Sequence, residues 1–306
     1  MRFDIHLPNH TYPFSKHEME TAVQLNPSSI VAIVYERGVV PQHNEQIREI
    51  VARTGARLIL RPYEPAPILH WRPIDWGHEC AERVVGYVDL NPVVVCENEP
   101  NHEDDGGVTD PGRIAEFWVM TALGFQDAMD RVFCPIELAI PSLSPIGNYK
   151  QIYRSLKGVI PYFARTTAHV YARCGNWNDP VWLRELFGKP VDVTEWDSWM
   201  PTGYLPIFNC LDKMQADAKC WFILSSTQFA EFDLMRNMEA IMMAQLSDIH
   251  ERVKLLEKQQ SLTVDLTARI LSGKWTGGAE SAQALLLAIS PKLADEQFKA
   301  AAFPHG

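Results

Sequence analysis

Short runs of β-branched and other apolar residues recur through the first 225 positions, and the stretches between them carry apolar residues at helical spacing. The runs predict strands over 2–8, 30–36, 57–64, 92–99, 134–140, 167–174, 190–195 and 219–225. They begin about every 31 residues, the length that a strand, a helix and two short loops require. Amphipathic segments over 44–54 and 114–130 supply helices between strands, and Gly55, Asn91-Pro92 and Gly188-Lys189-Pro190 punctuate the joins. Strands alternating with helices run parallel, and eight such units predict an α/β fold closed as a (β/α)8 barrel. The rival, an open doubly wound sheet, usually carries a glycine-rich loop after its first strand. Here that strand runs into Pro8-Asn9-His10-Thr11-Tyr12-Pro13, without a glycine.

The pattern changes near residue 230. Met235, Met238, Met242, Leu246, Ile249, Val253 and Leu256 step by threes and fours, forming one apolar stripe beside Glu251, Arg252, Lys254 and Glu257. The stripe suits either a last barrel helix that runs on past the barrel or a coiled-coil seam through which two copies associate. The expected organisation is a barrel over 1–235, a long helix over 236–260 and a small helical module over 261–306.

Composition narrows the function classes. The chain of 306 residues is 46% hydrophobic and 22% charged, an ordinary globular balance with length enough for a full core. Its formal net charge of −10 argues against nucleic acid as a partner, because gripping phosphates takes clustered positive charge. Neutral ligands such as sugars remain open, and nine Trp with nine Tyr supply flat surfaces, although burial is the commoner use of such rings. Charges and a proline interrupt the first eight residues, so no signal peptide is expected there, and no apolar run approaches a membrane span. The six cysteines show neither a C-x-x-C pair nor zinc spacing and are expected to be buried thiols in a protein made in the cytoplasm.

Barrel enzymes place their chemistry at the C-terminal ends of the strands. Strand four ends Cys96-Glu97-Asn98-Glu99-Pro100, and strand seven ends Thr194-Glu195-Trp196-Asp197. Two carboxylates facing each other across one barrel mouth are what glycoside hydrolysis needs, one protonated and one ionised. The Asn98-Glu99-Pro100 triplet, with Glu195 closing strand seven, resembles the (β/α)8 glycoside hydrolase clan called the 4/7 superfamily. The resemblance covers roughly residues 1 to 235. It implies that Glu99 is the general acid/base, that Glu195 is the nucleophile of a retaining mechanism, and that Asn98 bonds the sugar 2-hydroxyl. His169-Val170-Tyr171 on strand six is similar to the clan's His-x-Tyr, whose Tyr orients the nucleophile, and Trp221 on strand eight to the tryptophan floor under the reacting sugar. The clan commonly draws an arginine from strand two, whereas the best candidate here, Arg61, sits in strand three. Short loops after strands one and two imply an open, shallow cleft.

Each residue also has a plainer use. Glu97 reads better as a salt-bridge partner than as a catalyst, Glu195 could cap the following helix, and Trp196, Trp199 and Trp221 could be core or rim. Glu64 is a strand-end carboxylate without an assigned role. His102-Glu103-Asp104-Asp105 could hold a hard cation but reads better as a solvated acidic loop. His6 and His10 lack the H-x-H spacing of metal-dependent barrel hydrolases, so neither metal nor cofactor is expected. In the tail, Ile270, Gly273-Lys274-Trp275 and Leu285 resemble the short wall-binding repeat of phage lysins, which implies peptidoglycan as substrate and a phage or virion context; a helix C-cap at Gly273 explains the same turn. The expectation is a retaining glycosidase of a β-linked polysaccharide. The competing expectation is a glycan-binding attachment protein that kept the barrel cleft.

Overall fold

The computed structural model describes residues 4–8, 13–35, 41–131, 136–197, 199–200, 203–204, 211, 213–222, 253–254 and 269. The chain divides into two compact units, Met1–Ala230 and Glu231–Gly306. Apart from Val253, Lys254 and Arg269, the expected long helix, the coiled-coil seam and the wall-binding repeat lie outside the described residues.

In the first unit, β1 (Ile5–His6), β2 (Ser29–Val34), β3 (Arg57–Pro62), β4 (Val93–Val94), β5 (Glu137–Ile140), β6 (Arg165–Tyr171) and β7 (Val191–Asp197) follow one another around a sheet. A small antiparallel pair, β8 (Trp199–Met200) with β9 (Gly203–Tyr204), interrupts the series. The last strand, β10 (Ala218–Phe222), then closes the sheet between β7 and β1 into an eight-stranded barrel, parallel throughout. Each of the eight expected strands is present. The continuous apolar run Ile30–Val34 is buried on both faces, as strands of a parallel barrel require.

Helices α1 (Lys16–Gln24), α2 (Pro41–Thr54), α3 (Pro67–His70), α4 (Pro73–Val84), α5 (Pro111–Asp130), α6 (Tyr149–Ser155) and α7 (Asp179–Phe187) join the strands. Local chemistry sets several of their starts. Ser15 and Glu18 form a reciprocal capping box at α1. Asp110 accepts from the Gly112 and Arg113 amides at α5 (2.7 and 3.2 Å), and Pro111 takes the first helical position, so α5 starts three residues before its apolar periodicity does. Helices α4 and α5 pack backbone to backbone at Gly77 and Gly124. A β-carbon on Gly77 would come within 2.2 Å of the Thr121 carbonyl oxygen, and one on Gly124 within 2.3 Å of the Ile74 carbonyl oxygen.

Val31, Ile59, Val93, Val95, Ala139, Ala218 and Cys220 fill the barrel interior. Below them, Arg57 of β3 reaches across to Asp192 of β7 at 2.5 Å, and Arg165 of β6 joins at 2.7 Å. Asp4 stitches the same floor, accepting from the amides of Ser29 (2.8 Å) and Lys219 (3.0 Å). Strand β7 is irregular against both neighbours. Between Val193 and Trp196 it holds one residue more than β10 holds between Lys219 and Trp221, and its register with β6 slips at the same place. This β-bulge at Thr194-Glu195 reverses the alternation of the strand, so that Asp192 and Glu195, three apart, both face inward.

Alternation also corrects one expectation. Ala218 and Cys220 of β10 point into the barrel core, so Trp221, the next residue, faces outward. Its ring stacks on Trp196 with centroids 6.0 Å apart, and both are buried. Trp221 therefore belongs to the packing around the barrel and forms no floor under a sugar. The thiols of Cys80, Cys96 and Cys220 are buried, whereas Cys174 is exposed; Cys134 and Cys210 lie outside the described residues. Among the described residues, no helix is long and apolar enough to cross a membrane.

Candidate active site

The C-terminal ends of β1, β3, β4, β6 and β7 bring His6, Arg61, Asn98, Glu99, His169, Tyr171 and Glu195 into one hydrogen-bonded cluster. On β6, Thr167, His169 and Tyr171 alternate inward, so the last two reach the mouth together. On β7 only the bulge lets Glu195 do so. Glu99 follows β4 at φ +32°, a left-handed conformation that costs a side chain about 1 to 2 kcal/mol. It is fixed there by its amide, which donates to the Ser142 carbonyl (3.1 Å), and by its carbonyl, which accepts from the His102 amide (2.7 Å). Strain of this kind persists where the surroundings over-determine it.

Two groups bridge the carboxylates. His169 Nδ1 donates to Glu99 Oε1 at 2.6 Å and lies 3.7 Å from Glu195 Oε2. The Tyr171 hydroxyl donates to Glu195 Oε2 at 2.7 Å, and its oxygen is 3.3 Å from Glu99 Oε1. The bridged oxygens are therefore no more than about 6 Å apart, short of the room an inverting pair keeps for its water and compatible with a retaining pair. Arg61 donates Nη1 to Glu195 Oε1 and Nη2 to Asn98 Oδ1. It lies on the third strand, as the sequence indicates, and reaches across the mouth to β7.

Electrostatics fixes the charge of Glu195. Burial disfavours a charge on Glu195, but the imidazole of His169 and the guanidinium of Arg61 outweigh it and hold this carboxyl well below the usual range. Glu195 is thus ionised across the physiological range. His6 is pushed the other way: burial and the neighbouring Arg61 lower it to about 3, so it is neutral. Its Nδ1 donates to the Leu7 carbonyl at 2.7 Å, which leaves Nε2 to accept from Arg61 Nη1 at 3.1 Å.

Two members of this region do not announce themselves in the sequence. His6, notable there only for lacking metal spacing, is a neutral acceptor for Arg61. Asp105, which reads as part of a solvated acidic loop, is 7% exposed and accepts from Asn98 Nδ2 at 3.2 Å. Burial and the charge of Glu99 raise it to about 6, against the opposing pull of Arg61. The only signal for either is position: one follows the first strand, and the other lies seven residues past Asn98. Tyr35 and Tyr63, edge to face at 6.2 Å, follow β2 and β3 and stand half-buried near Arg61.

Other candidates resolve differently. Among the described residues Glu97 has no cation partner, which corrects its expected salt bridge. It turns away from the mouth toward α5 and accepts a hydrogen bond from the Trp118 indole, and burial pushes it up to about 8. Glu64 pairs with Arg83 at 3.6 Å. Among the described residues no group of three or more His, Cys, Asp or Glu could hold a metal ion, so the His102–Asp105 run makes no such site there. His10, the loop segments 9–12 and 36–40 on which the open cleft was read, and the side chain of Trp199 lie outside the described residues.

No protein-family model and no curated protein sequence matches the chain. Solved structures do. A GH5-4 broad-specificity endoglucanase from Clostridium longisporum superposes with a TM-score of 0.51 at 10% identity, over 72% of this chain and 85% of that one. A glucosidase from Croceicoccus marinus gives 0.49 at 10% identity, and a GH39 enzyme from Xanthomonas axonopodis pv. citri gives 0.49 at 13%, each over 72% of this chain. The chain spans only 59% and 58% of those two proteins. At such identities the likeness is one of fold alone, a (β/α)8 barrel.

Proposed function

We propose that the protein is a retaining glycoside hydrolase acting on a β-linked polysaccharide. The observation that carries this reading is the bridged pair: an ionised Glu195 gripped by Arg61 and Tyr171, within about 6 Å of a second carboxyl group, Glu99, at the mouth of the barrel. In the first step a Glu195 oxygen attacks the anomeric carbon. The bond to the leaving oxygen breaks, and Glu99 gives that oxygen its proton. Glu99 Oε1 faces His169 and Tyr171, which leaves Oε2 to carry the proton. In the second step Glu99, now a carboxylate, takes a proton from water. The resulting hydroxide oxygen bonds to the anomeric carbon and Glu195 departs as carboxylate. Arg61 and the Tyr171 hydroxyl stabilise Glu195 as it leaves, and Asn98, held by Arg61, faces the sugar next to the reacting centre. The half-buried rings of Tyr35 and Tyr63 offer apolar surface to a sugar chain.

Peptidoglycan was the substrate implied by the tail, whose repeat lies outside the described residues, so the cleft carries the reading by itself. The barrel is proposed to be the catalytic domain, with residues past about 235 as an appendage.

The test is release of reducing ends by the purified protein across a glycan panel that includes peptidoglycan, with Glu99→Gln and Glu195→Gln alongside. The expected outcome is turnover of at least one β-glycan that falls about a thousandfold or more in each variant, because each loses the group that the transition state needs. Binding of a glycan without turnover by the parent protein would overturn the hydrolase in favour of an attachment protein.

A further inference from the structure

We infer that Asp105 is a specificity-determining residue that receives a substrate ammonium group, so that the preferred substrate carries an amino sugar unacetylated at C2. The inference rests on the hydrolase reading for the position of the reacting carbon, and on charge and geometry for the rest. Asp105 lies on the 3₁₀ turn Glu103–Asp105, is 7% exposed, and among the described residues its side chain has one hydrogen-bond donor, Asn98 Nδ2 at 3.2 Å. Among the described residues it has no ion-pair partner. The guanidinium of Arg61 is taken by Glu195 and Asn98, and His102 pairs with Asp104 at 3.6 Å. A buried carboxylate with one neutral donor is incompletely compensated, and a substrate closing over the mouth would strip away the water that now helps.

Charge points the same way. Arg61 lies on Glu195 and His169 lies between Glu99 and Glu195, so among the described residues Asp105 is the carboxylate of the mouth that no cation pairs. At Tyr63 the carboxylates of Asp105, Asp104 and Glu64 act together against Arg61. A cation is therefore the complementary ligand. The run of contacts points to where the substrate would carry it. Asp105 contacts Asn98, Asn98 contacts Arg61, and Arg61 contacts Glu195, which attacks C1. Of the two ring atoms bonded to C1, the ring oxygen bears no substituent, so the nearest group a sugar can offer is the one on C2. An amine there is a cation when protonated. A hydroxyl brings no charge, and an acetamide brings bulk and no charge.

The test compares three β-1,4 oligomers of equal length, made of glucosamine, N-acetylglucosamine and glucose, with the full-length protein near pH 6.5, where the sugar amine and Asp105 are both substantially charged. The expected kcat/KM on the glucosamine oligomer exceeds that on the other two by about tenfold or more, the scale on which a site built to pair a polar group rejects analogues lacking it. Asp105→Asn should shrink that preference about tenfold through KM. The preference should also fade as pH drops through about 6, where Asp105, facing Glu99, Arg61, His102 and Tyr63, takes up a proton. Equal turnover of the three oligomers, or a preference that Asp105→Asn leaves intact, overturns the inference while the hydrolase stands. If no oligomer is cleaved, calorimetry of their binding decides. Selective binding of the glucosamine oligomer that Asp105→Asn abolishes keeps the role of Asp105 and sinks the hydrolase, and unselective or absent binding sinks both.

Discussion

Glu97 and Glu99 are two residues apart in sequence and opposite in circumstance. Glu99 faces the mouth at φ +32°, held there by its backbone bonds to Ser142 and His102. Glycine removes the β-carbon that makes this conformation costly, so Glu99→Gly should be more stable than Glu99→Ala by about 1 kcal/mol, read from urea melts, while both abolish turnover. Glu97 faces α5, buried, with the Trp118 indole as its donor and, among the described residues, no partner for Oε1. Because its folded pKa of about 8 lies above the unfolded value, the folded state binds the extra proton, and stability falls as pH rises from about 4.5 to 8. Glu97→Gln keeps an acceptor for Trp118 and carries no charge. It should match the parent protein near pH 4 and exceed it on the order of 4 kcal/mol by pH 8 and above, measured by melts across pH. A difference between Glu97→Gln and the parent protein that does not grow over that range would show that Glu97 is not held protonated. Sequence alone separates these neighbours poorly. The Asn-Glu-Pro triplet marks Glu99, but nothing in the run Cys96-Glu97-Asn98-Glu99 says which carboxylate the strand end turns inward. Asp105 was hidden for a similar reason, because of three consecutive acids only the last is buried, against an asparagine seven residues away.

Elements were far more legible than side-chain directions. A barrel strand must be apolar on both faces, so all eight stand out as runs, and their spacing gives the closure. Which way a given residue points depends on counting by twos, and a single extra residue spoils the count. The bulge at Thr194-Glu195 leaves no trace in the hydrophobic pattern, yet without it Glu195 would face the helices. Trp221 is the converse case: a strand-end tryptophan draws the eye, but Ala218 and Cys220 already occupy the inward positions. The glycines between α4 and α5 were also silent, because helical periodicity says nothing of how closely two backbones approach. Gly77→Ala and Gly124→Ala each drive a methyl group to within 2.2 to 2.3 Å of a carbonyl oxygen, so the helices must separate. Each should cost about 2 to 3 kcal/mol in denaturant unfolding. Gly86→Ala, with nothing within 4 Å of the added carbon, should change stability by less than about 0.5 kcal/mol.

The whole barrel repeats one contact at its two ends. At the floor Arg57 of β3 crosses to Asp192 of β7, and at the mouth Arg61 of β3 crosses to Glu195 of β7. On β3 the two arginines are four residues apart, which alternation puts on one face. On β7 the two acids are three apart, and the bulge supplies the missing step. The pairs share chemistry but differ in what surrounds them. Around Asp192 the neighbours are Arg57 and Arg165, and Arg165 also holds Asp217 at 2.7 Å, so the acids of the floor are met by arginines. Around Glu195 stand Tyr171, His169 and, through them, Glu99. If the proposed hydrolysis runs at the mouth, the two ends differ in what they do, and one pair of substitutions separates them. Asp192→Ala takes from Arg57 its carboxylate and leaves Arg165 on Asp217, and it should cost about 3 kcal/mol in unfolding, with turnover per folded molecule unchanged. Glu195→Gln should remove turnover altogether. It should also cost stability above about pH 4.5, because a carboxyl held well below its usual range contributes most when ionised, and that difference should vanish in strong acid as the parent's own Glu195 takes up its proton. An Asp192→Ala protein that folds but has lost turnover would mean the floor sets the geometry of the mouth through β7, and the division between the two ends would fall.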